Sequence, residues 1–473
     1  MPQMITTAKN KAKLRAKIGT YGLLSLLLLC THSGFAASHM QALSDEQMSE
    51  TTGQALMSLS FTAPTDPRNL EYYRPQGDKT VGFYKLGMEA EVELNANIRK
   101  LQLGCGGING PGGCDIDIDN LSLSGLKVDA AGNPITMSNT ERASSSAVIS
   151  NPFIEFAIRN PELASTREMV GLRISAEKLV GLLTVGDNNT TANGINSLSG
   201  YMKINGYGTA VTQDGVFGLR PGEVVHTVAD IQMPLCLKGC GDNKPLTAGY
   251  GNDKNTGLKI PSMNAPFQVN NAIVSGTRLK SANVTAIAQI PNIPINSNSG
   301  QLGVKLETSA CVLILCVQDT FIKLNTSVNN LSANIEFNEG LGYIHNLPIR
   351  SAAYLGLQSK ALRWPGADEV AQPGWWLSLQ DPVNLGDISP RDKVDIASVY
   401  PQFAKILGEK LAEDQYKIKV GLGDGISAIF QAGITKTISP VDLKGSSVNI
   451  GLENLILKSQ DLTSNCYGGM KFC

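Results

Sequence analysis

Three aspartates alternate with isoleucines early in the chain, at Asp115, Asp117 and Asp119. Alternate residues of a strand point to one face, so the three carboxylates could offer oxygen ligands to Ca²⁺. Carboxylates two residues apart are separated by roughly 6.6 Å along a strand, too far to share one ion unaided. An EF-hand loop is excluded because Asn120 and Leu126 replace its glycine and its bidentate glutamate. We predict a solvated strand face, keep the three as a weak metal candidate, and predict no cofactor.

All three tryptophans, Trp364, Trp375 and Trp376, lie close together in sequence among prolines and glycines. Tryptophans carried on loops could form a binding patch for a glycan, a peptide or a partner protein. The alternative, which we favour, is that they cover the core between two turns, because the residues after Trp376 alternate as a strand.

Residues for catalysis are scarce. The sequence has no G-x-S-x-G, no Walker loop and no H-E-x-x-H, and the glycines near residue 106 lack the dinucleotide pattern. Beyond residue 36 the only histidines are His39, His226 and His345, far apart in sequence, which leaves little for a catalytic base. We therefore predict that the protein is not an enzyme.

The elements that carry these residues repeat one pattern. Apolar residues alternate, two polar residues follow, and the alternation resumes one position out of phase, at 96–103, 116–123, 326–333 and 450–457. Alternation indicates a strand, and a one-residue slip would turn the core face outward unless a bulge absorbs the extra residue. The pattern predicts four bent amphipathic strands.

The same logic extends along the chain and predicts a mainly all-β protein, a large antiparallel sandwich or roll with one or two short helices. Phe403, Ile406, Leu407 and Leu411 lie at helical spacing and predict a helix over 401–413 that packs on a sheet. We divide the chain into a signal peptide (1–36), a capped-helix motif (37–60), a linker or arm (61–87), a main β domain (88–390), and a helix with closing strands (391–473).

The first 36 residues resemble a signal peptide. Five basic residues precede an apolar run that is too short to span a membrane, and Gly34 and Ala36 suit cleavage after Ala36. Cleavage leaves 35 Lys+Arg against 41 Asp+Glu, a formal net charge of −6. No basic patch for nucleic acid remains, and no later apolar run is long enough for a membrane helix. We predict an exported protein, associated with the cell surface or outer membrane, or periplasmic.

The cysteines agree with export. Beyond Cys30 there are eight, in four couples of near neighbours, which predict four disulfides that pin loop tips in an oxidising compartment. A zinc site would show C-x-x-C spacing with histidine nearby, so disulfides are the better interpretation. The predicted pairs are Cys105–Cys114, Cys236–Cys240, Cys311–Cys316 and Cys466–Cys473.

A capped helix is predicted just after the cleavage site. Ser44 and Gln47 form a capping box, Leu43 and Met48 a hydrophobic staple, and Gly53 can end the helix. It would either dock on the body of the protein or serve as a recognition tag after export.

The stretch Leu43-Ser44-Asp45-Glu46 to Gly53-Gln54 resembles the start of Fil-type pilus assembly and filament-associated exported proteins of Acinetobacter and related gammaproteobacteria. Further stretches resemble the same group, at 151–171, 195–201 and 373–377. The resemblance implies a Gram-negative surface-assembly role and brings no catalytic residues.

From these observations we expect a non-enzymatic structural or assembly protein of a surface filament, pilus or adhesive structure. Its partners would be other envelope or filament proteins, joined by strand-edge pairing, with no nucleic acid. The alternative is a periplasmic module that binds an apolar ligand or envelope component in a dry cavity lined by Ile98, Ile118, Val328 and Leu452.

Overall fold

The computed structural model describes residues 57–130, 132–135, 137–188, 191–296, 299–312, 315–429 and 433–461. The signal peptide, the predicted helix at Ser44–Gly53 and the Cys466–Cys473 pair lie outside these residues. Strands predominate within them, which confirms the predicted all-β class. Four α-helices are present in the described part of the chain, where one or two were expected.

The strands have the following bounds in chain order. The first fourteen are β1 Met57–Thr62, β2 Val81–Met88, β3 Glu91–Leu94, β4 Ala96–Leu103, β5 Ile116–Ser124, β6 Ala147–Arg159, β7 Glu168–Thr184, β8 Ile195–Val211, β9 Gly215–Phe217, β10 Val224–Ile231, β11 Cys236–Lys238, β12 Gly241–Gly249, β13 Gly257–Ile260 and β14 Asn264–Leu279. The others are β15 Ser281–Gln289, β16 Ile293–Ile295, β17 Gly300–Val312, β18 Leu315–Asn329, β19 Ser332–Gly340, β20 Asn346–Ile349, β21 Ala353–Gln358, β22 Gly374–Leu379, β23 Val383–Asp387, β24 Ile418–Val420, β25 Ile434–Thr437, β26 Val441–Asp442 and β27 Ser447–Glu453. The helices are α1 Leu70–Tyr73, α2 Asn139–Ala143, α3 Tyr400–Leu411 and α4 Leu422–Ile429.

The strands form two sheets. The larger follows the order β1-β2-β6-β7-β21-β22-β8-β14-β15-β19-β27, and the smaller follows β16-β18-β17-β12-β10-β24. Most neighbours are antiparallel, as predicted, but the later strands insert in parallel: β22 and β23 beside β8, β24 beside β10, β25 and β26 beside β18, and β27 beside β19.

The two sheets contribute to one large hydrophobic core, as expected for a sandwich or roll. From the larger sheet, Phe267 and Phe337 lie with ring centroids 5.2 Å apart. Phe217 of the smaller sheet packs against Phe403 of α3, with centroids 5.4 Å apart.

The predicted late helix is present as α3, and it packs on β10 through its apolar stripe. Phe403, Leu407 and Leu411 are buried in the main core. Gly408 permits the close approach, because a Cβ at this position would lie 2.4 Å from the backbone oxygen of His226.

The predicted phase slips fall on asparagines in left-handed backbone. Asn120, Asn330 and Asn454 have φ of 50°, 60° and 51°. Asn120 bends β5, Asn454 follows β27, and Asn330 lies where the chain leaves β18 of the smaller sheet for β19 of the larger. The repeat in β4 differs from the prediction, because β4 keeps one register against β5 throughout and Asn120 of its partner takes the bend.

Three of the four predicted disulfides lie in the described part of the chain, and all three are formed: Cys105–Cys114, Cys236–Cys240 and Cys311–Cys316. Cys105–Cys114 closes the tip between β4 and β5, and Cys311–Cys316 the tip between β17 and β18. They pin strand ends, as expected.

The N-terminal boundaries need correction. Residues 61–87 are not a linker, because the end of β1 and most of β2 lie there and belong to the larger sheet. Val92 and Leu94 alternate with Glu91 and Glu93 along β3, a pattern typical of a half-buried strand, but both are exposed.

Candidate functional site

Six neighbouring strands at one end of the larger sheet, β1, β2, β6, β7, β21 and β22, form what we call the wing. Their register aligns apolar side chains into two rows that cross all six strands. The rows are Leu59–Leu86–Ile154–Ile174–Leu355–Leu377 and Phe61–Tyr84–Phe156–Leu172–Leu357–Trp375. Residues directly opposite on paired strands share a face, so both rows lie on one side of the sheet, the wing face.

The wing face is open to solvent. Leu59 is 72% exposed and Ile174 is 50% exposed, and none of the twelve row residues is buried. At the outer end of the second row, the rings of Phe61 and Tyr84 stack with centroids 4.3 Å apart. Single exposed apolar residues are common, but an unbroken patch of this size marks an interaction surface.

The opposite side of the wing is covered. Leu362, Trp364, Ala367 and Ala371 form a cap and pack with Phe83 and other residues of the sheet in a second hydrophobic core. This contact is close, since a Cβ on Gly171 would lie 2.9 Å from both Leu362 and Trp364. The wing therefore has one face that is covered by the cap and one face that is exposed to solvent.

A buried ion pair lies beneath the same cap. Arg173 Nε donates to Glu155 Oε2 at 3.0 Å, and the guanidinium lies 5.0 Å from the ring centroid of Trp364. Burial raises the pKa of Glu155, although the adjacent charge of Arg173 opposes that shift.

The wing face continues the main core. Leu355, Leu377 and Trp375, at the inner ends of the rows, pack against the core between the sheets. Farther out, Ile174 on β7 is 50% exposed and Leu59 on β1 is 72% exposed. One part of this apolar surface is therefore covered by the smaller sheet, and the adjoining part, the wing face, is exposed.

The wing ends at an open edge. Within the described chain β1 pairs with β2 alone, so its second edge offers unpaired backbone groups. On the capped side of these strands two cationic side chains are paired: Lys85 Nζ lies 3.2 Å from Glu177 Oε1, and Arg159 contacts Glu168.

The three candidate aspartates do not converge. Asp115 is 1% exposed, so the predicted solvated face is wrong for this residue. Its Oδ1 accepts hydrogen bonds from Arg278 Nε at 3.1 Å and Asn109 Nδ2 at 2.7 Å, and its Oδ2 accepts one from the backbone N–H of Trp375 at 3.0 Å. These donors occupy both oxygens because the disulfide-closed tip folds onto β14 and β22.

Asp117 and Asp119 do lie on a solvated face, as expected. Lys100 Nζ is 2.9 Å from Asp119 Oδ1 and also contacts Asp117, while Asn196 donates to both carboxylates. Within the described residues no three His, Cys, Asp or Glu side chains are grouped so as to hold a metal ion.

The tryptophans do not form one exposed patch. Trp364 and Trp376 are buried in the second core, as the favoured interpretation predicts. Trp375 points to the other side of β22 and ends a row of the wing face. The alternation of neighbouring strand residues separates Trp375 from Trp376.

The two described histidines lie apart. His226 is exposed on β10. His345 is buried, its Nδ1 lies 3.0 Å from Val185 O, and burial lowers its pKa. Gln460 Oε1 accepts a hydrogen bond from the His345 backbone N–H at 2.9 Å, so this region anchors the chain after β27.

The apolar cavity expected for a ligand carrier is small and differently lined. Ile98 is 39% exposed on β4, so it cannot line an enclosed cavity. A dry cavity of about 40 Å³ lies beneath a row of alanines, Ala210, Ala265, Ala288 and Ala333, and Leu452 contributes to its wall. Ligand pockets measure roughly 300–1,000 Å³, so this space is a packing void.

No protein-family model, curated protein or solved structure matches the chain. The resemblance to Fil-type proteins therefore stays a prediction from the sequence. In the described part of the chain, no helix has the length and apolar character needed to cross a membrane.

Proposed function

We propose that this chain is an exported, non-enzymatic assembly protein of a bacterial surface filament, pilus or adhesive structure. It joins other envelope proteins through the wing face and the open edge of β1. The observation that carries the proposal is the pair of exposed apolar rows that cross six strands and end at an unpaired edge.

The physical argument is that an exposed apolar surface of this extent is unfavourable in water. Its exposure is relieved when another surface covers it, and the gain scales with the apolar area removed from water. The edge of β1 adds specificity, because an incoming strand would pair its backbone there while its side chains meet Met57, Leu59 and Phe61.

The compartment that we predict for the chain supports the same proposal. The predicted signal peptide and the disulfides suit an oxidising compartment outside the cytoplasm, and the resemblance to Fil-type proteins suggests a filament there. A ligand carrier is not proposed, since the dry cavity of about 40 Å³ is far smaller than a ligand pocket.

Location and assembly can be tested together. Intact and outer-membrane-permeabilised cells would be treated with protease and the chain followed with an antibody, and sheared surface material would be probed for it. The proposal predicts digestion in intact cells and recovery with the sheared material. Protection until permeabilisation, with none in the sheared fraction, would contradict it.

A matched pair of variants links location to the wing face. Ile174→Asp places a charge in the centre of a row. Ile287→Asp places the same charge on β15, on the side of the larger sheet away from the core, where Ile287 is 63% exposed. We expect only Ile174→Asp to lose association with the sheared material. Equal behaviour of both variants would mean that the wing face does not carry assembly.

A further inference from the structure

We propose that a second copy of this chain covers the wing face, so that two wings stack apolar side to apolar side. The inference rests on the proposed function, because it names the partner at the same surface. It starts from the chain's own example: the smaller sheet already covers the continuation of this surface.

The exposed area is that of a dimer interface. Eight large apolar residues on the wing face are more than a third exposed: Met57, Leu59, Phe61, Met88, Ile154, Met169, Ile174 and Leu357. Together they present on the order of 800 Å² of accessible surface, taking roughly 200 Å² for each large apolar residue when fully exposed. One partner in a stable complex buries about 800 Å².

The chemistry of the face favours an uncharged partner. The two rows contain no ionisable residue except Tyr84, while Lys85 and Arg159 lie on the capped side of the same strands and are paired with Glu177 and Glu168. An anionic lipid surface would be attracted by basic side chains, which the two rows do not supply. An acidic or basic protein would find no complementary charge on the rows either.

A second copy satisfies these conditions. A twofold axis that lies between the wings of the two copies, parallel to both, would bring the two wing faces together. The apolar rows of one copy would then meet those of the other. Stacked sheets lie about 10 Å apart, a separation that Leu, Ile and Phe side chains fill by interdigitation. The opposite side of each wing is already capped by Leu362 and Trp364 and stays outside the interface.

The test is sedimentation velocity of the purified, oxidised mature chain over a wide concentration range. We expect a reversible dimer, a rise of about 100-fold in its dissociation constant for Ile174→Asp, and no change for Ile287→Asp. Circular dichroism would verify the fold. Leu59→Lys, at the exposed edge strand, gives a second test if Ile174→Asp fails to fold, with the same expected loss of dimer.

Several outcomes would overturn the inference. They are a wild-type chain that is monomeric at every concentration, a dimer unaffected by Ile174→Asp and Leu59→Lys, or a monomer that binds phosphatidylglycerol vesicles through the wing face. If the chain is a monomer and its wing variants are still lost from the sheared surface material, the dimer is refuted and the assembly function stands. If the chain forms a dimer through the wing face but is absent from envelope fractions, the dimer stands and the assembly function is refuted.

Discussion

Asp115, just before β5, forms an ion pair with Arg278, which lies 163 residues further along the chain in β14. The same guanidinium donates to the backbone oxygens of Gly110 and Gly104, close to the Cys105–Cys114 disulfide. Asp115 also holds the start of β22 through the backbone of Trp375. One carboxylate therefore fixes a loop tip against two strands of the larger sheet.

Removal of one partner should be costly, because Asp115 would remain buried without its counter-ion. We expect Arg278→Met to lower the free energy of unfolding by about 3 kcal/mol, measured by urea denaturation. Lys100→Met is the control, since Lys100 pairs with Asp117 and Asp119 on an exposed face and should cost less than about 1 kcal/mol. Equal losses would contradict the structural role of Asp115.

Glu339 should make stability depend on pH. Burial raises its pKa to about 7, although the backbone N–H of Leu455, which donates to it, opposes the shift. The folded state therefore keeps a proton that the unfolded state loses above about pH 4.5, so stability falls as pH rises from about 4.5 to 7.

The matching variant is Glu339→Gln, which is neutral at every pH and keeps an oxygen for the Leu455 N–H. We expect it to be about 3 kcal/mol more stable than the wild type at pH 8 and equal to it near pH 4. Urea midpoints across this range measure the difference. A constant difference between the two proteins would show that Glu339 does not titrate there.

Gly408 should be required for the close packing of α3 on β10. A Cβ there would approach the backbone oxygen of His226 to 2.4 Å, so Gly408→Ala should lower stability by about 1–3 kcal/mol. A Cβ on Gly423 in α4 would meet no atom within 4 Å, and Gly423→Ala should raise stability by about 0.5–1 kcal/mol through helix propensity. Thermal unfolding of both variants distinguishes the signs.

The Cys105–Cys114 disulfide should stabilise the protein by restricting the conformations of the unfolded chain. The double variant Cys105→Ser/Cys114→Ser opens a loop with a sequence separation of 9 and should cost about 2–3 kcal/mol in the chain-entropy account. Guanidinium denaturation of the variant and of the oxidised wild type measures this cost. If the loss greatly exceeded that figure, the tip would also support the Asp115–Arg278 contact.

Local features were predictable from the sequence because they depend on near neighbours. The phase slips located the bends at Asn120 and Asn330, the spacing of Phe403 and Leu407 located α3, and adjacent cysteines indicated three disulfides. The linker assignment failed because β1 and β2 find their partners only in the folded sheet, where β2 pairs with both β1 and β6.

The wing face was not predicted, although its residues alternate in their strands. Ile154 and Phe156 are apolar beside Phe153 and Ala157, a run that indicates burial on both faces. Which face receives a cover depends on where β21 and β22 insert, and that pairing joins distant parts of the chain. The aspartate cluster failed for the same reason, since Arg278 and Trp375 arrive from far along the sequence.

The insertion of β21 and β22 beside β7 has a consequence for how the chain acquires its shape. Arg173 of β7 contacts the backbone of Pro365, 192 residues later, so the middle of the wing waits for much of the polypeptide to emerge. Pairings of such long range fold slowly. In the interval β6 and β7 lack both the partner strand β21 and the cap, so their unpaired edge and apolar residues are exposed, and we expect the nascent protein to depend on holding chaperones that prevent its aggregation.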